Sequence, residues 1–139
     1  MSVDSAGLAA RLGIKPGMVV QELGCDEDAD EDLRDAIIEL SGGEMVDEDT
    51  DEVADVVLLW WREDDGDLFD ALTDAITSLG EDGVVWLLVP KSGRPGHVEP
   101  GDVTEVAPTA GLQQTSSVSA AKDWSGIRLV SPRTARSRR

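Results

Sequence analysis

One cysteine, one histidine, one phenylalanine and no tyrosine occur among the 139 residues of the chain. A lone Cys25 cannot form an internal disulfide, which fits a cytosolic protein. A lone His97, in a loop rich in proline and glycine, leaves no Ser-His-Asp order and is expected at the surface. Zinc would require Cys25 and acids gathered from distant segments, with no metal-ligand spacing in the sequence. No Gly-x-x-x-x-Gly-Lys phosphate loop is present. No apolar run reaches the roughly 18 residues that a membrane-spanning helix requires. The start, Met1-Ser2-Val3-Asp4, lacks the basic and apolar regions of a signal peptide, so a cytoplasmic location is expected.

Basic residues are also scarce where acids are dense. Between Glu22 and Asp82 there are 24 acidic residues and only two basic ones, Arg34 and Arg62. The rest of the chain carries ten basic residues against five acidic, and the whole has a formal charge of −17. An acidic half is therefore followed by a weakly basic one. The acidic block repels the phosphate backbone, which opposes wrapping in nucleic acid. Nucleic acid is left only the tail residues Arg133, Arg136, Arg138 and Arg139. A basic protein partner fits the charge, and so does a merely solubilising surface.

What is present is a core. Hydrophobic residues make up 40% of the chain, and runs such as Val56 to Trp61 demand burial, which argues against disorder. The length suits one domain, expected over residues 1–132, with a disordered basic tail over 133–139. Asp4 or Ser5 caps a short helix carrying Leu8 and Leu12 and ended by Gly13. A strand follows over Met18–Leu23. Leu33, Ile37 and Leu40 form one face of a helix that Ser41-Gly42-Gly43 stops. Met45 and Val46 can form a short strand. Val53–Trp61 reads as a strand covered on both faces, and Leu68, Leu72, Ile76 and Leu79 as a second amphipathic helix. Gly80 and Gly83 bracket a turn into a strand over Val84–Val89. Pro90–Asp102 reads as loop, and Val103–Ala110 as a helix weakened by Pro108. Two final strands, about Leu112–Ala120 and Ile127–Ser131, form a hairpin. The alternation predicts an α/β three-layer sandwich, with a mostly parallel Rossmann-like sheet and a C-terminal antiparallel hairpin.

Four blocks resemble a bacterial family known as domain of unknown function 3052. They are Leu12-Gly13-Ile14-Lys15-Pro16-Gly17, Ala54-Asp55-Val56-Val57-Leu58-Leu59, Asp82-Gly83-Val84-Val85-Trp86 with Pro90-Lys91, and Trp124-Ser125-Gly126-Ile127-Arg128-Leu129-Val130. That resemblance implies relatives but no activity.

More remotely, the stretch from Lys15 to Cys25 resembles the approach to the glycine-rich loop of class I methyltransferases, which use S-adenosylmethionine. Leu79–Val89 resembles their helix, glycine turn and strand, and Gly111–Val130 their terminal hairpin. The resemblance implies the fold of those enzymes. Their loop needs further glycines for close approach to the cofactor, whereas Asp26, Glu27 and Asp28 stand here. Three carboxylates repel the carboxylate of S-adenosylmethionine while tolerating its amino and sulfonium groups. The stretch from Cys25 to Val53 is also short for the strand-helix-strand segment that completes the adenosine pocket. No cofactor is expected.

Ligands of open parallel sheets bind outside the carboxyl ends of the strands. Those ends are Gly24-Cys25, Trp61-Arg62 and Pro90-Lys91, and the hairpin turn Lys122-Asp123-Trp124 is expected at the same edge. Arg62, Lys91 and Lys122 are the candidates for holding an anion, with Trp124 as a flat stacking surface. In the plainer alternative, Lys91 only ends a strand and Trp124 packs on the sheet edge. Cys25 is the candidate for redox chemistry, since a helix start lowers a thiol pKa, although adjacent carboxylates oppose this. The acidic run Asp26–Asp32 lacks the central glycine and terminal glutamate of a calcium loop. Trp60 and Trp61, adjacent on a strand, should face opposite sides of the sheet and pack in the core.

Together these features favour a non-catalytic cytosolic binding or regulatory protein with a protein partner and no membrane association. The alternative is a ligand-binding domain or enzyme with an anion or nucleotide site at the carboxyl edge.

Overall fold

A computed structural model describes residues 12–24, 27, 29–43, 45–46, 53–119 and 123–130. Cys25, Lys122, the expected first helix before Leu12 and the tail residues Arg133, Arg136, Arg138 and Arg139 lie outside the described residues. Five strands form one sheet: β1 (Val20–Leu23), β2 (Ala54–Trp60), β3 (Leu79–Pro90), β4 (Gln113–Ser119) and β5 (Trp124–Val130). Three helices accompany them: α1 (Glu31–Ser41), α2 (Leu68–Ala75) and α3 (Pro100–Thr109). No described helix is long and apolar enough to cross a membrane.

The strand order is β1-β2-β3-β5-β4. β1–β2 and β2–β3 are parallel, while β3–β5 and β5–β4 are antiparallel. The sheet is therefore mixed, not mostly parallel. The hairpin accounts for the difference, because β5 inserts beside β3 and contributes two antiparallel pairings to a short sheet. Val46 adds an isolated parallel bridge to Gln21 on the outer side of β1, where Met45-Val46 was expected to form a short strand.

Local sequence explains the helices. Asp30 caps α1 by accepting from the Leu33 N–H at 2.8 Å, and Gly42, at φ 86°, ends it with an N–H bond to the Ile38 carbonyl. The Asp67 carboxylate accepts from the Phe69 N–H at the start of α2. Pro100 opens α3, because a first-turn position needs no N–H donor and favours the fixed φ of proline. That helix starts three residues before the expected Val103 and tolerates Pro108 near its end. The helix expected to include Leu79 ends instead at Ala75 and tightens into a 3-10 turn over Ile76–Ser78. Leu79 already pairs with Ala54, and the register shift before Val56↔Val84 makes 80–83 a bulge within β3, not a turn before it. β5 likewise starts at Trp124, so Trp124–Gly126 belong to a strand instead of the expected turn.

The sheet separates two cores, which makes the three layers. On one face α1 buries Leu33 and Ile37 against Val20, Val56, Leu58, Trp60, Trp86, Leu88 and Trp124. On the other, α2 and α3 bury Leu72, Ala75, Val103 and Ala107 against Val57, Leu59, Trp61, Val85, Leu87 and Leu129. Trp60 and Trp61 go to opposite faces, as period-2 alternation dictates.

Candidate functional site

The chain leaves β1 through α1 to reach Val46 on the outer side, then returns to the other side of β1 to form β2. The switch point of the sheet thus falls between the carboxyl ends of β1 and β2, at Gly24 and Trp60. Such a crevice is where open α/β sheets take ligands. Gly24 is tightly placed there: with φ at 73°, a Cβ would collide with the Trp60 carbonyl oxygen.

Arg62 lies across this point. Its Nη1 donates to the Gly24 carbonyl at 2.7 Å and to the Trp60 carbonyl at 3.3 Å, linking the ends of both strands. The guanidinium sits 5.1 Å from the centroid of the Trp124 ring, a cation–π arrangement. Trp124 in turn meets Trp60 edge-on, with centroids 4.9 Å apart. Asp65 also holds Arg62: its Oδ2 accepts from the Arg62 backbone N–H at 2.9 Å and lies 3.3 Å from the same Nη1. Only 13% of the Arg62 side chain is exposed.

A second cation anchors the floor beneath. Arg34, from α1, makes a two-pronged pair with Glu22 on β1: Nε to Oε2 at 2.7 Å and Nη2 to Oε1 at 2.9 Å. The Trp60 indole N–H donates to the same Glu22 Oε2 at 2.9 Å. Glu22 is thereby compensated in a site that leaves only 9% of its side chain exposed.

Neighbouring segments close on the same edge. Pro90 pairs with Trp124, and the Lys91 N–H donates to the Asp123 carbonyl at 2.9 Å. Lys91 Nζ donates to Ser119 Oγ at 2.6 Å, and Arg94 Nε lies 3.5 Å from Asp123 Oδ1. His97 is half-buried rather than at the open surface: Nδ1 lies 2.9 Å from the Pro90 carbonyl and Nε2 3.5 Å from Glu99 Oε2. The Glu63 N–H donates to the Gly96 carbonyl, tying this loop to the segment after Arg62.

Arg62, Lys91 and Trp124 therefore reach one edge, but not as an open anion site. Trp124 is only 3% exposed, so it has no free stacking face, and packing accounts for it. Arg62 turns its charge onto carbonyls and a ring. Lys91 stands at the lip, bonded to Ser119. Glu22 and Arg34 were not among the expected site residues. Their signal was available, because Arg34 and Arg62 are the only cations in the acidic block, and both act at this edge.

Among the described residues no group of three or more His, Cys, Asp or Glu side chains could hold a metal ion. A separate groove of about 410 Å³ lies between α3 and the start of β4, lined by Thr104, Pro108, Leu112, Gln113 and Gln114. Gln113 pairs with Val130, at the opposite end of the hairpin from Trp124, so the groove is not part of the crevice.

Residues 9–133 match the family described as Protein of unknown function (DUF3052). The chain belongs to that family. Family relatives include uncharacterized proteins of Mycobacterium tuberculosis and Mycobacterium bovis. Each is 57% identical over 130 residues, covering 94% of this chain and 82% of the relative. Solved structures with a similar fold include a SAM-dependent methyltransferase from Aquifex aeolicus, with a TM-score of 0.62 and 14% identity over 91% of this chain and 88% of that one. A TehB-like SAM-dependent methyltransferase from Corynebacterium glutamicum aligns at a TM-score of 0.54 and 16% identity, over 91% and 86% of the two chains. The glycopeptide N-methyltransferase MtfA aligns at 0.61 and 14%, over 94% and 90%. At these identities the likeness is one of fold. This DUF3052 chain has a methyltransferase-like architecture, with a guanidinium bridging the two strand ends at its switch point.

Proposed function

We propose that the protein is a non-catalytic binding or regulatory protein that keeps a methyltransferase-like fold and works through a protein partner. The observation that carries this reading is the Arg62 guanidinium, bonded to the Gly24 and Trp60 carbonyls and seated on Trp124. A cationic sulfonium brought to this place would meet a fixed positive charge, and an adenosine ring would have to displace a side chain held by four groups. Asp26 and Asp28, where methyltransferases carry glycines, support the reading from the sequence side. The exposed acids Glu31, Asp32, Asp35 and Glu39 on α1, and Asp67, Asp70 and Asp74 around α2, favour a basic partner surface and fast, salt-sensitive encounter. Calorimetric titration with S-adenosylmethionine tests the reading. No heat of binding at millimolar ligand is the expected result, and saturable micromolar binding would contradict it.

One observation favours a second reading in which the lip binds an anion: Lys91 and the half-exposed Arg94 stand together on the loop beside the crevice. A phosphate-bearing nucleotide that binds the native chain but not Lys91→Ala would support this alternative.

A further inference from the structure

The groove of about 410 Å³ beside α3 has two walls: Thr104 and Pro108, one turn apart on the helix, and Leu112, Gln113 and Gln114 at the entry to β4. The Thr104 hydroxyl donates to Gln114 Oε1 at 3.0 Å and ties the walls together. Because β4 and β5 are antiparallel, Gln113 at the start of one pairs with Val130 at the end of the other. The chain therefore leaves the sheet beside the groove. The residues that follow, 131–139, read Ser-Pro-Arg-Thr-Ala-Arg-Ser-Arg-Arg. We propose that this segment is the occupant of the groove, lying back along α3 with its arginines against the carboxylates of that helix.

Reach and charge select it. The ten residues of α3 make about 15 Å of helix, whereas nine residues of extended chain reach about 30 Å. α3 carries two exposed acids, Asp102 and Glu105, and no basic residue. Its last turn, the negative end of the helix dipole, leads through Leu112 into Gln113 and so ends near Val130. Segment 131–139 holds four arginines and no acid. A basic partner from outside would meet those arginines at the mouth of the groove, and an acidic partner would meet Asp102 and Glu105. The lining suits a peptide as well. Pro108 and Leu112 offer apolar contact to Pro132 and Ala135, and the side-chain amides of Gln113 and Gln114 can donate to backbone carbonyls. The contact does not depend on how the crevice is filled.

Limited trypsin digestion of the full chain tests the proposal, because trypsin cuts after arginine. A free peptide of residues 131–139 serves as the reference under each condition. In about 0.05 M salt, cleavage after Arg133 and Arg136 should be about tenfold slower in the native chain than in the peptide, and about 0.5 M salt should remove most of that protection. Glu105→Lys should also remove most of it while leaving circular dichroism unchanged, and Glu105→Asp should keep it. Proton–nitrogen spectra give a second readout. Arg133→Ser, Arg136→Ser, Arg138→Ser and Arg139→Ser together should shift the side-chain amide signals of Gln113 and Gln114 and leave the Trp60 indole signal in place. Cleavage at the rate of the free peptide, protection that survives Glu105→Lys, or unmoved groove signals would overturn the proposal. So would protection that grows with protein concentration, which would assign the segment to the groove of a second copy.

Discussion

The two faces of the sheet are built differently. The face under α2 and α3 is mostly aliphatic, with Leu59, Leu72, Val85, Leu87, Val103 and Leu129 filling it and Trp61 at its margin. The face under α1 holds Trp60, Trp86 and Trp124, and all three are tied to polar groups. The Trp60 indole donates to Glu22, the Trp86 indole donates to the Leu12 carbonyl at 2.8 Å, and Trp124 carries Arg62. One face is therefore a plain hydrophobic core. The other couples burial to the carboxyl edge, so that the site and the core are one structure. Filling the crevice with Arg62 is part of how that face is completed.

The comparison is broken most strongly by deleting one large side chain from each face. Trp60→Ala removes a fully buried ring, its edge contact to Trp124 and a donor to Glu22, and should cost about 3–5 kcal/mol. Leu72→Ala on the opposite face should cost about 2–5 kcal/mol. Urea unfolding measures both. They should differ in reach: Trp60→Ala disturbs the Arg62 guanidinium resonances, and Leu72→Ala leaves them in place.

Glu22→Gln is expected to be smaller but specific, at about 1–3 kcal/mol, because it takes the nearly buried carboxylate from the Arg34 guanidinium and leaves it only the exposed Glu31, at 3.3 Å. Arg34→Met with Glu22→Gln should recover part of that loss, which a double-mutant cycle reads directly. Lys91→Ala should be the smallest, within about 0.5 kcal/mol of the native chain, since Lys91 stands at the lip and supports neither face.

Much of this was legible in the sequence. The spacing of Leu33 and Ile37 announced α1, the apolar run to Trp61 announced β2, and alternation sent Trp60 and Trp61 to opposite faces. The strand ends also located the edge to which Gly24, Arg62, Lys91 and Trp124 converge. What could not be read was the direction of side chains at that edge. Arg62 turns inward because Trp124, from the last strand, provides a ring for it; no local pattern encodes that meeting. The start of β3 was hidden for a local reason, since Gly80 and Gly83 have the composition of a turn yet form a bulge in a continuous strand. The mixed sheet followed from where β5 inserts, a choice of tertiary pairing that hairpin signals leave open.

The filled crevice is tested most directly by proton–nitrogen NMR of the Arg62 side chain in the native protein, assigned with Arg62→Lys. Arg62 seated on Trp124 predicts guanidinium protons shifted by the ring current and exchanging slowly with water. Guanidinium signals at random-coil positions in fast exchange would contradict the account and reopen the crevice to a ligand.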